Sequence, residues 1–185
     1  MSVLPIYTYG QSVLRKKAKP VRRIDDGLVQ LVEDMIDTML PANGIGLAAN
    51  QVGVLERVII VDAAEAEQNP DLKPMVLINP EVIQAEGKWT MEEGCLSIPE
   101  IREEIERAEK IRVTFKDLAY NDQEIEAQGL LARVILHEID HLDGILFIDH
   151  ISPARQKLLR GRLNKIRKGD VEVIYPIITE AVEAK

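Results

Sequence analysis

The strongest constraint on the fold is a change of period near residue 129. From Ile98 to Phe115 apolar residues alternate with charged ones: Ile101 and Ile105, then Ile111, Val113 and Phe115. A two-residue period suits antiparallel strands that bury one face and wet the other. From Gly129 the spacing becomes helical, with Leu130, Val134, His137 and His141 on one face and Gly144 as a stop signal. A chain that keeps the two periods in separate blocks, without strict alternation, is expected to be α+β: antiparallel strands packed around a central helix.

The remaining segments are placed by local signals. Leu28, Leu31, Val32, Met35 and Met39 predict a helix from about Asp26 to Leu40, capped by Asp25 or Asp26 and stopped by Pro41. Asn43-Gly44-Ile45-Gly46 is a turn-forming stretch. Val58–Val61 and Met75–Ile78 read as short buried strands, the second broken by Asn79-Pro80. The small, acidic segment from Ala63 to Pro70 reads as a surface loop, and Asn121-Asp122 as a hairpin turn. Ser152-Pro153 opens a C-terminal helix in the N-cap/N1 pattern, running to about Lys168 with Leu159, Leu163 and Ile166 on one stripe. The tail beyond Gly169 is apolar, is broken by Pro176, and reads as a strand or a docked arm.

Composition narrows the class. The 185 residues suit a single domain over 1–185, with no internal repeat, and can bury a sizeable core without disulfides. A net charge of −8 argues against a whole-surface binder of DNA or membranes. The single cysteine excludes an intrachain disulfide and suits a reducing cytosol, and no segment resembles a secretory leader or a membrane span. The expected setting is the cytoplasm.

Chemistry concentrates in His137-Glu138-Ile139-Asp140-His141. On a helix these two imidazoles stand one turn apart and can grip one metal ion, and Glu138 between them can handle a water at that ion. An open catalytic site needs a third protein ligand, and Cys95, the sole cysteine, is the natural candidate. It lies in Glu93-Gly94-Cys95-Leu96-Ser97, shortly before Pro99. The third feature, Gly44-Ile45-Gly46-Leu47-Ala48-Ala49-Asn50-Gln51, allows a backbone to approach a ligand closely but lacks the Lys-Ser/Thr of a phosphate loop.

In this order the three segments closely resemble peptide deformylase, from the N-terminal arm to the helix ending near Lys168. The resemblance implies that Cys95, His137 and His141 bind one divalent metal, Fe(II) in the cell, with Zn, Ni or Co accepted. It implies Glu138 as general base and acid, with the Gln51 side-chain amide and the Leu96 backbone N–H holding the developing oxyanion. Gly46, with Gly44 beside it, is implied as a backbone contact to the substrate. The expected reaction removes the formyl group from N-formyl-methionyl nascent peptides and releases formate. Two departures stand out: Asn50 fills a position often occupied by Pro, and Leu136 stands where Gln commonly precedes the first histidine.

Ile45, Met91, Leu130 and Val134 flank these motifs and are expected to wall a slot for the methionine side chain. Two other readings compete. A zincin-type metallopeptidase takes its third ligand downstream of the histidine pair, where Asp149 and His150 lie. A metal-stapled binding module closes all four positions with protein ligands. Finally, Ser152–Lys168 carries seven Arg and Lys residues and no acid, against the acidic balance of the whole. This basic helix is either a solvated face or a ribosome-docking surface held by phosphate contacts.

Overall fold

The computed structural model describes residues 2–180; the last five residues of the expected tail lie outside them. The α+β expectation holds: among the described residues nine strands form two antiparallel sheets and one two-stranded parallel pair, with helices packed against them. The largest sheet has five strands in the order β2 (Gly46–Ala48), β3 (Val58–Val61), β4 (Met75–Glu86), β7 (Lys110–Lys116) and β8 (Asp122–Gln128), all antiparallel. Every residue of β3 is buried, because helices cover both faces of the sheet there.

The first of those helices, α1 (Asp26–Met39), starts where the Asp25 carboxylate accepts the Leu28 N–H at 3.1 Å. Its Leu28, Val32, Met35 and Met39 pack with Leu47, Val58, Ile60 and Ile78 on one face of the sheet. On the opposite face α3 (Gly129–Leu142) sets Leu131, Ala132, Ile135 and Leu142 against Ala48, Ile59, Val61, Leu77, Ile111 and Val113. The helix is buried nearly all round, so its histidine-bearing face also looks into the protein. It ends at Gly144, whose φ of +75° lets the chain turn; a Cβ there would lie 2.7 Å from the Arg15 carbonyl oxygen.

A separate two-stranded ribbon, β5 (Trp89–Cys95) and β6 (Ile98–Arg107), forms the other wall of the molecule. Ile98, Ile101 and Ile105 of β6 pack on α4 (Pro153–Lys168) through Leu159, Leu163 and Ile166. The α4 boundaries follow the expected signals: Ser152 Oγ accepts the Arg155 N–H at 3.2 Å, and Gly169 caps the end at φ +77°. Beyond it the chain returns as β9 (Ile177–Ile178), in parallel register with β1 (Ile6–Tyr7), so the tail is both a strand and a docked arm. No helix among the described residues is long and apolar enough to cross a membrane.

Three local expectations need correction. The Ala63–Pro70 segment is not all loop: α2 (Ala63–Ala66) forms because Asp62 Oδ1 accepts the N–H groups of Ala64 and Glu65. Asn79-Pro80 does not end its strand. Asn79 takes a left-handed φ of 53°, its amide exchanges two 2.8 Å hydrogen bonds with the Val21 backbone, and β4 resumes after a register shift between Ile78 and Glu81. The hairpin turn sits earlier than Asn121-Asp122, since Asp122 already pairs with Lys116 and Asp117 Oδ1 caps the turn at 2.9 Å from the Ala119 and Asn121 N–H groups. Strands β6 and β7 both show the expected alternation and belong to different sheets.

Candidate active site

Three elements bring the expected residues together. Strand β5 ends in Cys95, α3 carries His137, Glu138 and His141, and a short helical turn over Ala49–Val52 presents Gln51. Between them lies a cavity of about 530 Å³ lined by Gly44, Ile45, Gly46, Gln51, Met91, Cys95, Leu96, Leu130, Val134, His137 and Glu138. Of the residues expected at the site only His141 does not line it. That imidazole sits behind the cavity, 1% exposed, with Nε2 at 3.1 Å from Cys95 Sγ.

One donor atom each from Cys95, His137 and His141 lies within 4.8 Å of the other two. Donors about 2.0–2.3 Å from a tetrahedral ion would stand roughly 3.5 Å apart, so this group is sized for one metal. His137 Nδ1 is engaged by Glu93 Oε2 at 3.0 Å, which leaves Nε2 as the nitrogen open to a ligand. The residues fit a divalent ion, and the donor chemistry is that of a catalytic site with an open position. Asp149 and His150 are turned elsewhere. Asp149 pairs with Arg15, and His150 Nε2 lies 2.7 Å from Asp140 Oδ2, so neither supplies the downstream ligand of a zincin.

Glu138 is 4% exposed, and its Oε2 has no hydrogen-bond partner among the described residues. Burial pushes its carboxyl up to about 7, against the pull of His137 and Arg107. Gly46 explains part of how the carboxylate fits. A Cβ there would run into Glu138 Oε1 and lie 2.8 Å from Val134 Cγ1, so the glycine admits Glu138 as well as leaving room beside the cavity. Gln51 is oriented by its neighbours: Oε1 accepts the Ala48 N–H at 2.8 Å, so Nε2 must face Ser97 Oγ at 3.2 Å and Cys95 Sγ at 3.5 Å. The Leu96 N–H, at the turn joining β5 to β6, has no backbone partner among the described residues.

The sequence reading missed a buried charged cluster behind the histidines. Glu93 receives Arg107 Nε at 2.6 Å and Nη2 at 3.0 Å, and Arg133 Nη1 at 2.6 Å. Arg107 Nη1 continues to Asp140 Oδ2 at 2.7 Å. Burial opposes the charge on Glu93, but hydrogen bonds from His137 and Arg107 outweigh it and hold the carboxyl at about 2. A signal existed for Arg107, which shares the inward register of Ile101 and Ile105. Arg133 had none, being flanked by apolar residues on α3. Of the two departures, Asn50 donates from Nδ2 to the His141 carbonyl and ties down the end of α3, while the half-buried Leu136 packs against the core.

A buried carboxylate beside a metal-sized triad, at the edge of a cavity wide enough for a peptide end, defines a metal-dependent hydrolase. The family model for polypeptide deformylase matches residues 3–157. The chain is 47% identical to the peptide deformylase of Salinibacter ruber, covering 96% of this chain and 95% of that one. It is 51% identical to that of Thermodesulfovibrio yellowstonii, over 86% and 96%. Among solved structures, a peptide deformylase from Legionella pneumophila superposes with a TM-score of 0.84 at 38% identity, over 91% and 98% of the two chains. One from Synechococcus elongatus, solved with actinonin, gives 0.77 at 39% identity over 95% and 92%. The chain belongs to the peptide deformylase family, metal-dependent enzymes that remove the N-formyl group from nascent peptides.

Proposed function

We propose that Cys95, His137 and His141 hold the divalent metal and that Glu138 carries the protons of the hydrolysis. The observation behind this reading is the convergence of the three donors beside a buried carboxylate oxygen that has no hydrogen-bond partner among the described residues. When bound, the metal supplies a Lewis acid that polarises the formyl carbonyl and makes water acidic near neutral pH. Glu138 takes the proton of the attacking water and later delivers it to the departing amine, so formate and a free N-terminus leave. As the carbonyl oxygen gains negative charge, Gln51 Nε2 and the Leu96 N–H donate to it.

The substrate's place follows from two free sheet edges. Among the described residues strand β2 pairs only with β3, and β5 only with β6. An extended peptide can lie between those open edges, with Gly44 and Gly46 on one side and β5 on the other. Ile45, Met91, Leu130 and Val134 then wall the slot for the methionine side chain; Met91 is 37% exposed and stands at the rim.

Imidazole and thiolate together accept Fe(II), Zn, Ni and Co, and the family likeness favours Fe(II) in the cell and a cytoplasmic setting. Cys95 supplies the only anionic donor, so Cys95→Ser is expected to weaken metal binding at least about tenfold and to change which metal is retained. Chelator competition followed by metal analysis measures this. Unchanged affinity and turnover would place the third donor elsewhere.

The basic helix α4 supports a second assignment, docking to ribosomal RNA. Lys157, Arg160 and Lys168 are exposed and make no ion pair among the described residues, whereas Arg155 is held by Glu103 at 2.7 Å and Arg162 by the Glu100 carbonyl. Changing Lys157, Arg160 and Lys168 to Glu is expected to abolish co-sedimentation with ribosomes at low salt and to spare turnover of short formyl peptides. Unaltered co-sedimentation would reduce the helix to a solvated face.

A further inference from the structure

The link between β5 and β6 is a turn of two residues, Leu96 and Ser97, closed by the pairing of Cys95 with Ile98. A turn this short carries the third metal donor on one side and the Leu96 N–H at its tip. Its outward carbonyls are held from outside the ribbon. The Ser97 carbonyl accepts the Tyr9 N–H at 2.8 Å, and the Leu96 carbonyl accepts the Tyr175 hydroxyl at 2.9 Å. The N-terminal arm and the segment after α4 therefore meet on this turn.

Tyr175 is itself firmly placed. The next residue, Pro176, accepts the Ile6 N–H at 2.9 Å, after which Ile177 and Ile178 pair with Ile6 and Tyr7. Thr8 adds two 3.0 Å hydrogen bonds to the Ile178 carbonyl, one from its N–H and one from Oγ1. The Tyr175 ring packs with Leu96 against the cluster of α1 and β3. Burial raises its phenol well above the ordinary range, so the hydroxyl remains a donor. Tyr175 lies beyond residues 3–157, the span matched by the family model.

We propose that Tyr175 is a positioning residue for the reaction: through the Leu96 carbonyl it fixes the turn that aims the Leu96 N–H at the developing oxyanion. The two peptide planes flanking Leu96 share its φ and ψ, so a hydrogen bond that anchors one restrains the other. This rests on the role given to the Leu96 N–H above. The effect belongs in the transition state, where the oxygen is charged, and should appear in kcat more than in KM.

The test uses the full-length, metal-loaded enzyme on a short formyl-methionyl peptide. Tyr175→Phe keeps the ring and refills the same space, so its metal content should match the wild type and its melting temperature should fall by no more than a few degrees, the cost of one hydrogen bond. Its kcat is expected to fall roughly 5- to 20-fold, with KM unchanged within about twofold. A second variant replaces Leu96 by its α-hydroxy analogue, an ester that lacks the N–H; kcat should fall on the order of 100-fold. On that ester background Tyr175→Phe should cost nothing further. Normal kcat in Tyr175→Phe beside a slow ester variant overturns the proposal alone, as does a loss that adds in full to the ester's. Normal turnover by the ester variant overturns the role of the Leu96 N–H itself, and the proposal with it.

Discussion

Glu138→Ala is expected to slow formate release at least ~100-fold while leaving the fold and the bound metal intact, because both proton transfers lose their carrier. The structure separates the two effects. Glu138 Oε2 has no hydrogen-bond partner among the described residues, and Oε1 crowds Gly46, so the truncation breaks no network. Alanine also suits the interior of α3. Steady-state kinetics with metal analysis on the same sample checks this. Near-normal turnover in a metal-loaded variant would mean that another group moves the proton.

Glu93→Ala is expected to act the opposite way, on stability first. It strips the shared carboxylate from Arg107, Arg133 and His137, leaving guanidinium groups in side chains only 6% and 3% exposed. Removing one partner of such a buried cluster costs about 3–5 kcal/mol. For a chain of this size that corresponds to a melting temperature lower by roughly 10 °C. Metal affinity should also fall about 10- to 100-fold, since the Glu93 carboxylate fixes the His137 ring. Calorimetry and chelator competition report the two losses; a melting temperature unchanged within a degree or two would show the cluster to be energetically neutral. The pH dependence has a defined sign. The Glu93 carboxyl lies at about 2 in the folded protein against an ordinary 4.5, so its contribution is complete above about 4.5. It is lost as pH falls toward 2.

What could be read from the residues alone is explained by distance along the chain. His137 and His141 are one helical turn apart, and the period of α3 was evident, so their juxtaposition followed from local geometry. The ends of α4 were legible because Ser152, Pro153 and Gly169 act on their immediate neighbours. Cys95 was reached by the chemistry of an open metal site and by likeness to a family. The rest depends on contacts that no window along the sequence contains. Asn79 continues its strand because its amide is held by Val21, 58 residues away. Glu93 meets Arg133 across 40 residues, and Tyr175 meets Leu96 across 79. Strand β5 was missed for a different reason: most of its residues are exposed or polar, because one of its edges and much of its surface face the cavity and solvent.

The most direct measurement of the whole account is anaerobic formate release from formyl-methionyl peptides, with metal quantified in the same sample. Turnover in proportion to bound metal, one equivalent per chain, is expected, and none after chelation until a divalent ion is restored. Fully loaded protein that releases no formate, or formate release that persists at the same rate after complete removal of the metal, would contradict it.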